Sequence, residues 1–223
     1  RQNAIKEFGC SPVEYLAKLG CLNERTIAVH CVALSDRDIG LLAESGASVV
    51  HCPVSNMRLG CGASPVVKLL KAGINVALGT DGAASACSLS MFEQMRTAGL
   101  IAKGFSQDPT ELTVNQIIRM ATINGANALK LHCDAGSLAV GKLADLAVID
   151  MSQLVTMPVL DVLSNVIYAV EAQCVHQVWV SGSLVANIQQ EKLLRPDRGK
   201  LLTKSNIMSW QNRVCEILRD DFN

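Results

Sequence analysis

With 223 residues, 49% of them hydrophobic and 18% charged, the chain is long enough for one large domain or one and a half small ones, with a sizeable core. Its 20 basic and 20 acidic residues cancel and aromatics make up 4%, which argues against a nucleic-acid footprint, a base-stacking platform or a membrane-surface patch. No apolar run approaches the length of a membrane span.

The chain opens on Arg1-Gln-Asn inside an uncapped helical stretch, Gln2 to Phe8, and is expected to be one piece of a larger protein. Nine cysteines, an odd number with no C-x-x-C pair, support neither a zinc knuckle nor a redox motif. They read as mostly buried free thiols in a reducing cytoplasm. Ser11-Pro-Val-Glu14 predicts a helix start, Ser at the cap and Pro at the first helical position, with a stop at Gly20. Thr26 to Val32 is a first buried strand. Ser35-Asp-Arg-Asp38 caps a helix that stops at Gly46, and Ala47 to Cys52 is a second strand, ended by Pro53. A polar loop follows with Ser55, Asn56, Arg58, Gly60 and Gly62. Ser64-Pro65 opens a helix ending at Gly73, and Val76-Ala-Leu78 is a third strand.

Strands alternating with helices predict right-handed crossovers and a parallel sheet. Beyond them, helices are expected over Leu89 to Ala102 and Thr113 to Leu129, the second containing a polar turn, Thr122-Ile-Asn-Gly125, before it continues through Ala126 to Leu131. After about Ala135 the texture becomes β-rich, with strands leading to Asp150 and over Val166 to Ala172, Val175 to Val180 and Ser183 to Val185. A last helix is expected over Ile207 to Leu218. Two domains follow: 1–135, and 136–223.

Each of the three parallel strands delivers a polar residue near its carboxyl end: His30, His51 and Asp81. In barrels of parallel strands that end carries the chemistry. Each has a plainer reading. His30 is equally a core histidine bonded to a backbone carbonyl, His51 simply closes its strand, and Asp81 caps the helix starting near Ser88. Asp81 is the best candidate for a ligand or base, since a carboxylate at a strand end is costly to bury unpartnered. His30 and Asp81 make half of a hydrolytic metal site, because catalytic zinc takes about three protein ligands. His132 and His176 lie at no predicted strand end and read as structural.

Val29-His30-Cys-Val, Val50-His51-Cys-Pro-Val-Ser-Asn56 and Ala77-Leu-Gly-Thr-Asp81-Gly-Ala-Ala-Ser85 resemble, in order, the sixth, seventh and eighth strands of the metal-dependent amidohydrolase superfamily. Gly136-Ser-Leu to Asp150 and His176-Gln-Val-Trp-Val-Ser-Gly182 resemble its small domain. Within the superfamily, Thr80 to Ser85 followed by Ser88 to Arg96 is similar to the 5-methylthioadenosine/S-adenosylhomocysteine deaminases. Guanine deaminases and s-triazine hydrolases are close relatives.

The resemblance implies an α/β fold: the C-terminal portion of a TIM (β/α)8 barrel plus part of a small β-sandwich domain. It implies a cytoplasmic hydrolytic deaminase using one divalent metal ion, zinc or iron, on a purine nucleoside-like small molecule, and a homo-oligomer at full length. It implies neither a nucleic-acid nor a membrane partner. Asp81 is then the metal ligand and proton shuttle, and His30 a catalytic histidine beside the water. Asp81, His51, Asn56 and Ser85 line or support the substrate site. The family's first-strand H-x-H and fifth-strand H-x-x-E are missing, and Cys52 stands where Asn is common. With one recognised ligand, the chain alone is expected neither to hold metal tightly nor to deaminate. A non-catalytic half-barrel serving interaction is the competing expectation. A Rossmann-type module is weak, for want of G-x-G-x-x-G after a strand.

Overall fold

The computed structural model describes residues 2–187 and, by backbone alone, 192–193. They fall into two compact units. One runs to Ser137 and includes Pro158–Val170; the other holds Leu138–Met157 and the residues from Glu171 onward. The helix expected over Ile207 to Leu218 lies outside the described residues.

The first unit begins with α1 (Gln2–Phe8) and α2 (Pro12–Lys18), then alternates β1 (Ile27–Val29), α3 (Asp36–Ser45), β2 (Ser48–His51), α4 (Pro53–Arg58), α5 (Val66–Lys71) and β3 (Val76–Leu78). It continues through α6 (Ala83–Ala86), α7 (Met91–Ser106), α8 (Val114–Ala121), α9 (Ile123–Ala128) and α10 (Val162–Tyr168). The three strands form a parallel sheet in the order β1-β2-β3, as the alternation predicts. Ala28 pairs with Val49, Val49 with Val76, and His51 with Leu78.

Two helix starts follow the sequence signals closely. Ser11 and Glu14 form a reciprocal capping box on α2, and Ser35 and Asp38 do the same on α3, which stops at left-handed Gly46. Val49, Val76 and Leu78 point to one face of the sheet. There they pack with Leu42, Leu69, Met95, Ile117, Met120 and Ile167 from the helices. Each fully buried side chain of this size contributes roughly 1.5–3 kcal/mol.

Four expectations need correction. The first strand is three residues rather than seven, because His30 and Cys31 turn into left-handed backbone at φ 70 and 50. The polar stretch after Pro53 is not a loop but α4: Pro53 presets the helical φ, and Ser55 and Asn56 spend their polar groups on tertiary partners instead of on the backbone. The long helix beyond Thr113 does more than turn where its polar stretch begins: it splits in two at Thr122, whose hydroxyl donates to the Ile118 carbonyl and whose backbone leaves the helical region. The Asn124 amide behind that break donates to the Val76 carbonyl, fixing α9 to β3. The expected strand over Val166 to Ala172 is instead the end of the helix α10, capped by Asp161, and the irregular segment that follows it. Its apolar run suits either period, and the Ala169 N–H donating to the Asn165 carbonyl four residues back shows the helical one.

The second unit is an antiparallel sheet of β4 (Leu146–Ile149), β5 (Val175–Val180), β6 (Ser183–Asn187) and β7 (Lys192–Leu193), in that order. Ser181 and Gly182, both at positive φ, make the two-residue turn between β5 and β6. The Asp145 carboxylate accepts from Ser181 N–H at 2.7 Å and steadies that turn.

Gly136 closes the first unit against α9. At φ +82, a Cβ there would lie 2.6 Å from Ala126 Cβ and 2.9 Å from Ile123 Cα. Neither neighbour has a flexible end to move. Gly136→Ala is therefore expected to cost roughly 2–4 kcal/mol in urea unfolding, combining backbone strain with overpacking. Gly73→Ala, at φ +77 with nothing within 4 Å, carries the strain alone and should cost about 1 kcal/mol.

Candidate active site

The carboxyl ends of β1 and β3 each finish on a residue in left-handed backbone: His30 at φ 70 and Asp81 at φ 60. Non-glycine residues are uncommon there and concentrate where function demands a fixed direction. The His30 N–H still donates to the Val50 carbonyl at 2.9 Å, so the turn stays tied to the sheet. The Gly79 N–H does the same to the His51 carbonyl.

The helix α4 holds both side chains. The Ser55 hydroxyl, wholly buried, donates to Asp81 Oδ2 at 2.6 Å. The next residue, Asn56, sets its Oδ1 2.9 Å from His30 Nδ1. With Asn56 presenting oxygen, His30 Nδ1 is the donor in this bond, which fixes the ring and leaves Nε2 for another partner. The Gly82 N–H donates to Asp81 Oδ1 at 2.7 Å. Arg58 Nη1 donates to the carbonyls of Ala84 and Ser85, at 2.9 and 2.8 Å, clamping the loop after β3.

These donors decide the charge of Asp81. The Ser55 hydroxyl first, then the Gly82 N–H, hold its carboxyl below the usual carboxylate range, with further help from His30 and the Ser85 hydroxyl. Asp81 is thus an ionised acceptor and caps no helix; α7 is capped by Ser90. Beside it, burial first and then the Asp81 charge push the Cys52 thiol up. Burial pushes Cys31 up to about 11. Neither is a thiolate near neutral pH, so neither is an activated nucleophile.

The structure brings His30, Asp81, Asn56 and Ser85 together. His51 lies close enough to His30 for their charges to repel but points to the other face of the sheet. His51 shares the face of β2 that carries Val49, and its register partner Leu78 belongs to the helix-side cluster. At 1% exposure it presents almost no surface of its own, which suits support of the site better than contact with a substrate. Asn56, also 1% exposed, acts through His30 rather than by touching a ligand. His132 is exposed beyond α9, and His176 lies on β5 of the second unit. The thiols are less buried than expected: among the described residues Cys21, Cys61, Cys87 and Cys133 are exposed.

Sequence reasoning missed Ser55 and Arg58. Ser55 stands inside the seventh-strand block and its signal was the adjacent Asn56. Arg58, a lone cation in an apparent loop, gave none.

The residues present do not by themselves fit a metal. Among the described residues no three His, Cys, Asp or Glu side chains converge, and both Asp81 oxygens already accept hydrogen bonds. No described helix is long and apolar enough to cross a membrane.

A parallel sheet flanked by helices, with a histidine and an aspartate held at its strands' carboxyl ends, defines an α/β protein with polar groups where such folds carry their chemistry. Residues 1–185 match the family model of the amidohydrolase family, and the chain belongs to that family. It is 41% identical over 203 residues to a 5-methylthioadenosine/S-adenosylhomocysteine deaminase of Acetivibrio thermocellus, covering 91% of this chain and 47% of the relative. The enzyme of the same name from Moorella thermoacetica is 46% identical over 178 residues, covering 80% of this chain and 42% of the relative. The chain spans about half the length of the curated relatives it matches. The crystal structure of an adenosine deaminase from Xanthomonas campestris with bound zinc superposes with a TM-score of 0.87 at 40% identity, covering 96% of this chain and 48% of that one.

Proposed function

We propose that the chain forms the His30–Asp81 side of the active site of a hydrolytic deaminase acting on a purine nucleoside-like substrate of the 5-methylthioadenosine or S-adenosylhomocysteine type. The carrying observation is the bracket in α4, where Ser55 fixes Asp81 and Asn56 fixes His30. The names of the two curated relatives support the substrate class. In this reading the first unit is part of a (β/α)8 barrel and the second part of a small β-rich domain.

The reaction adds water to the ring carbon bearing the amino group and releases ammonia. Asp81 accepts a proton from the water and passes it to the leaving nitrogen. His30, held by Asn56, offers Nε2 to the water or substrate. Ser85, on the loop clamped by Arg58, faces the substrate beside Asp81. A carboxylate held this acidic removes a proton only from water that other groups have already activated. A divalent metal such as the zinc bound in the Xanthomonas relative would supply that activation, with Asp81 as the one residue of this chain that would help hold it. Its remaining ligands have to come from outside the described residues.

The lack of a three-ligand cluster among the described residues favours one second reading, a non-catalytic interaction piece. Elemental analysis and ammonia release separate the two. The chain alone should hold no stoichiometric zinc or iron and release no ammonia. Joined to the amino-terminal half of the Acetivibrio relative, it should take up one metal and deaminate methylthioadenosine or S-adenosylhomocysteine in preference to guanine. Metal and activity in the chain alone would overturn the ligand argument. A folded, metal-loaded chimera that releases no ammonia would leave the non-catalytic reading standing.

A further inference from the structure

The helix that brackets the site is itself held from another element. α4 has six residues and starts without a side-chain cap, since Cys52 at the N-cap makes no capping bond. Pro53 has no N–H to satisfy, and the Asn56 N–H already donates to the Cys52 carbonyl at 3.0 Å. The N–H of Val54, the second helical residue, donates to the side-chain oxygen Oε1 of Gln94 at 3.3 Å. Gln94 stands near the start of α7, 40 residues further along the chain. Its own N–H donates to the Ser90 carbonyl, so the backbone behind it is set.

Gln94 is wholly buried, and its Nε2 has no hydrogen-bond partner among the described residues. A buried amide donor left unmet costs free energy. A methionine of similar length would fill the same space without that cost. What glutamine adds is an acceptor for Val54, and the N–H facing it decides which amide atom is the oxygen. The bond matters because of what comes next in the chain. Ser55 and Asn56 follow Val54 directly, and they hold Asp81 and His30. A helix this short has few internal bonds with which to keep an uncapped first turn from fraying.

We propose that Gln94 is a positioning residue of the candidate active site: from α7 it caps α4 and so, through Ser55 and Asn56, sets the directions of Asp81 and His30. Its bearing on catalysis rests on the deaminase reading, whereas its hold on the geometry does not.

Gln94→Met removes the acceptor and keeps the volume. Amide exchange and two-bond proton–nitrogen NMR on the full chain, at about pH 8 where imidazoles are neutral, test the geometry without any activity. In the wild type the Val54 N–H should be protected, and His30 should carry its proton on Nδ1. In Gln94→Met, exchange at Val54 should quicken about 10-fold, the worth of one hydrogen bond, and His30 should shift towards the Nε2–H form, with urea unfolding still cooperative. In the chimera with the Acetivibrio amino-terminal half, the same substitution should lower kcat roughly 10- to 100-fold and leave KM within about twofold, the mark of misplaced reacting groups rather than lost binding. A folded variant with Val54 exchange and the His30 ring unchanged overturns the proposal, whatever its turnover. So does an active chimera whose kcat the substitution leaves untouched. If Gln94→Met fails to fold, a wild-type Val54 N–H that exchanges like an open amide overturns it, and a protected one supports it. A parent chimera that releases no ammonia counts against the deaminase reading alone, because the NMR comparison stands without it.

Discussion

Asp81→Asn in the chimera with the Acetivibrio amino-terminal half is expected to lower the turnover number for ammonia release by roughly 10²- to 10⁴-fold, the usual worth of a positioned acid–base group. The substitution is chosen to keep shape. Asn Oδ1 can go on accepting from the Gly82 N–H, and Nδ2 can donate to Ser55 Oγ, because a hydroxyl rotates to accept. The loop after β3 therefore has no reason to move, and its clamp by Arg58 is untouched. What disappears is a negative charge that can take up a proton. Stability in urea should change little, since the carboxylate is open to water. Turnover lost with stability intact places the effect in chemistry. Turnover kept would remove Asp81 from the reaction and with it the proposed function.

The second large effect concerns acid. The folded chain holds His51 neutral, chiefly by burial and secondly by the nearby His30, moving its titration from 6.5 to about 4. An unfolded chain carries no such restraint and binds a proton more readily at every pH below 6.5. The stabilisation from a neutral His51 is thus complete above pH 6.5 and is lost as the pH falls towards 4. The interval corresponds to roughly 3 kcal/mol in total, of which about 2–3 kcal/mol is gone by pH 4.5. Urea unfolding at pH 7.5 and 4.5 measures it directly. His51→Phe, which cannot titrate, should flatten that difference by the same amount. The carboxylates held low, Asp81 and Asp108 among them, remain ionised over this window and lose their contribution only at more acid pH. An undiminished slope in the variant would assign the acid lability to another group.

Much of the first unit could be read from the residues. Ser11, Ser35 and Gly46 announce helix ends by local chemistry, and the alternation of apolar runs with capped helices dictates a parallel sheet. His30 and Asp81 were legible because polarity recurs where each strand ends. The rest depended on information that no local window contains. α4 looks like a loop because Ser and Asn favour turns, and only their distant partners Asp81 and His30 explain why they sit in a helix. The side of β2 that His51 occupies depends on register with Leu78, and a run of Ser-Val-Val-His buried on both faces has no alternation to reveal it. α10 was hidden by β-branched residues that suit a strand equally well, although Asp161 three residues before Ser164 was a capping signal. Arg58 was illegible altogether, since what it grips is backbone.

Ser55 and Asn56, neighbours on one short helix, hold side chains from two different strands. That arrangement makes α4 a gauge block. The spacing of His30 and Asp81 is referenced to one rigid turn, not to the sum of every connection between β1 and β3. Length changes in the surface loops around Ala33 or Gly62 can accumulate without opening or closing the gap. Drift at 55 or 56 has no such freedom, because replacing either one unsettles a strand tip that lies 26 residues away in the chain. Homologues of this chain should therefore vary in their outer loops while keeping those two positions as a pair.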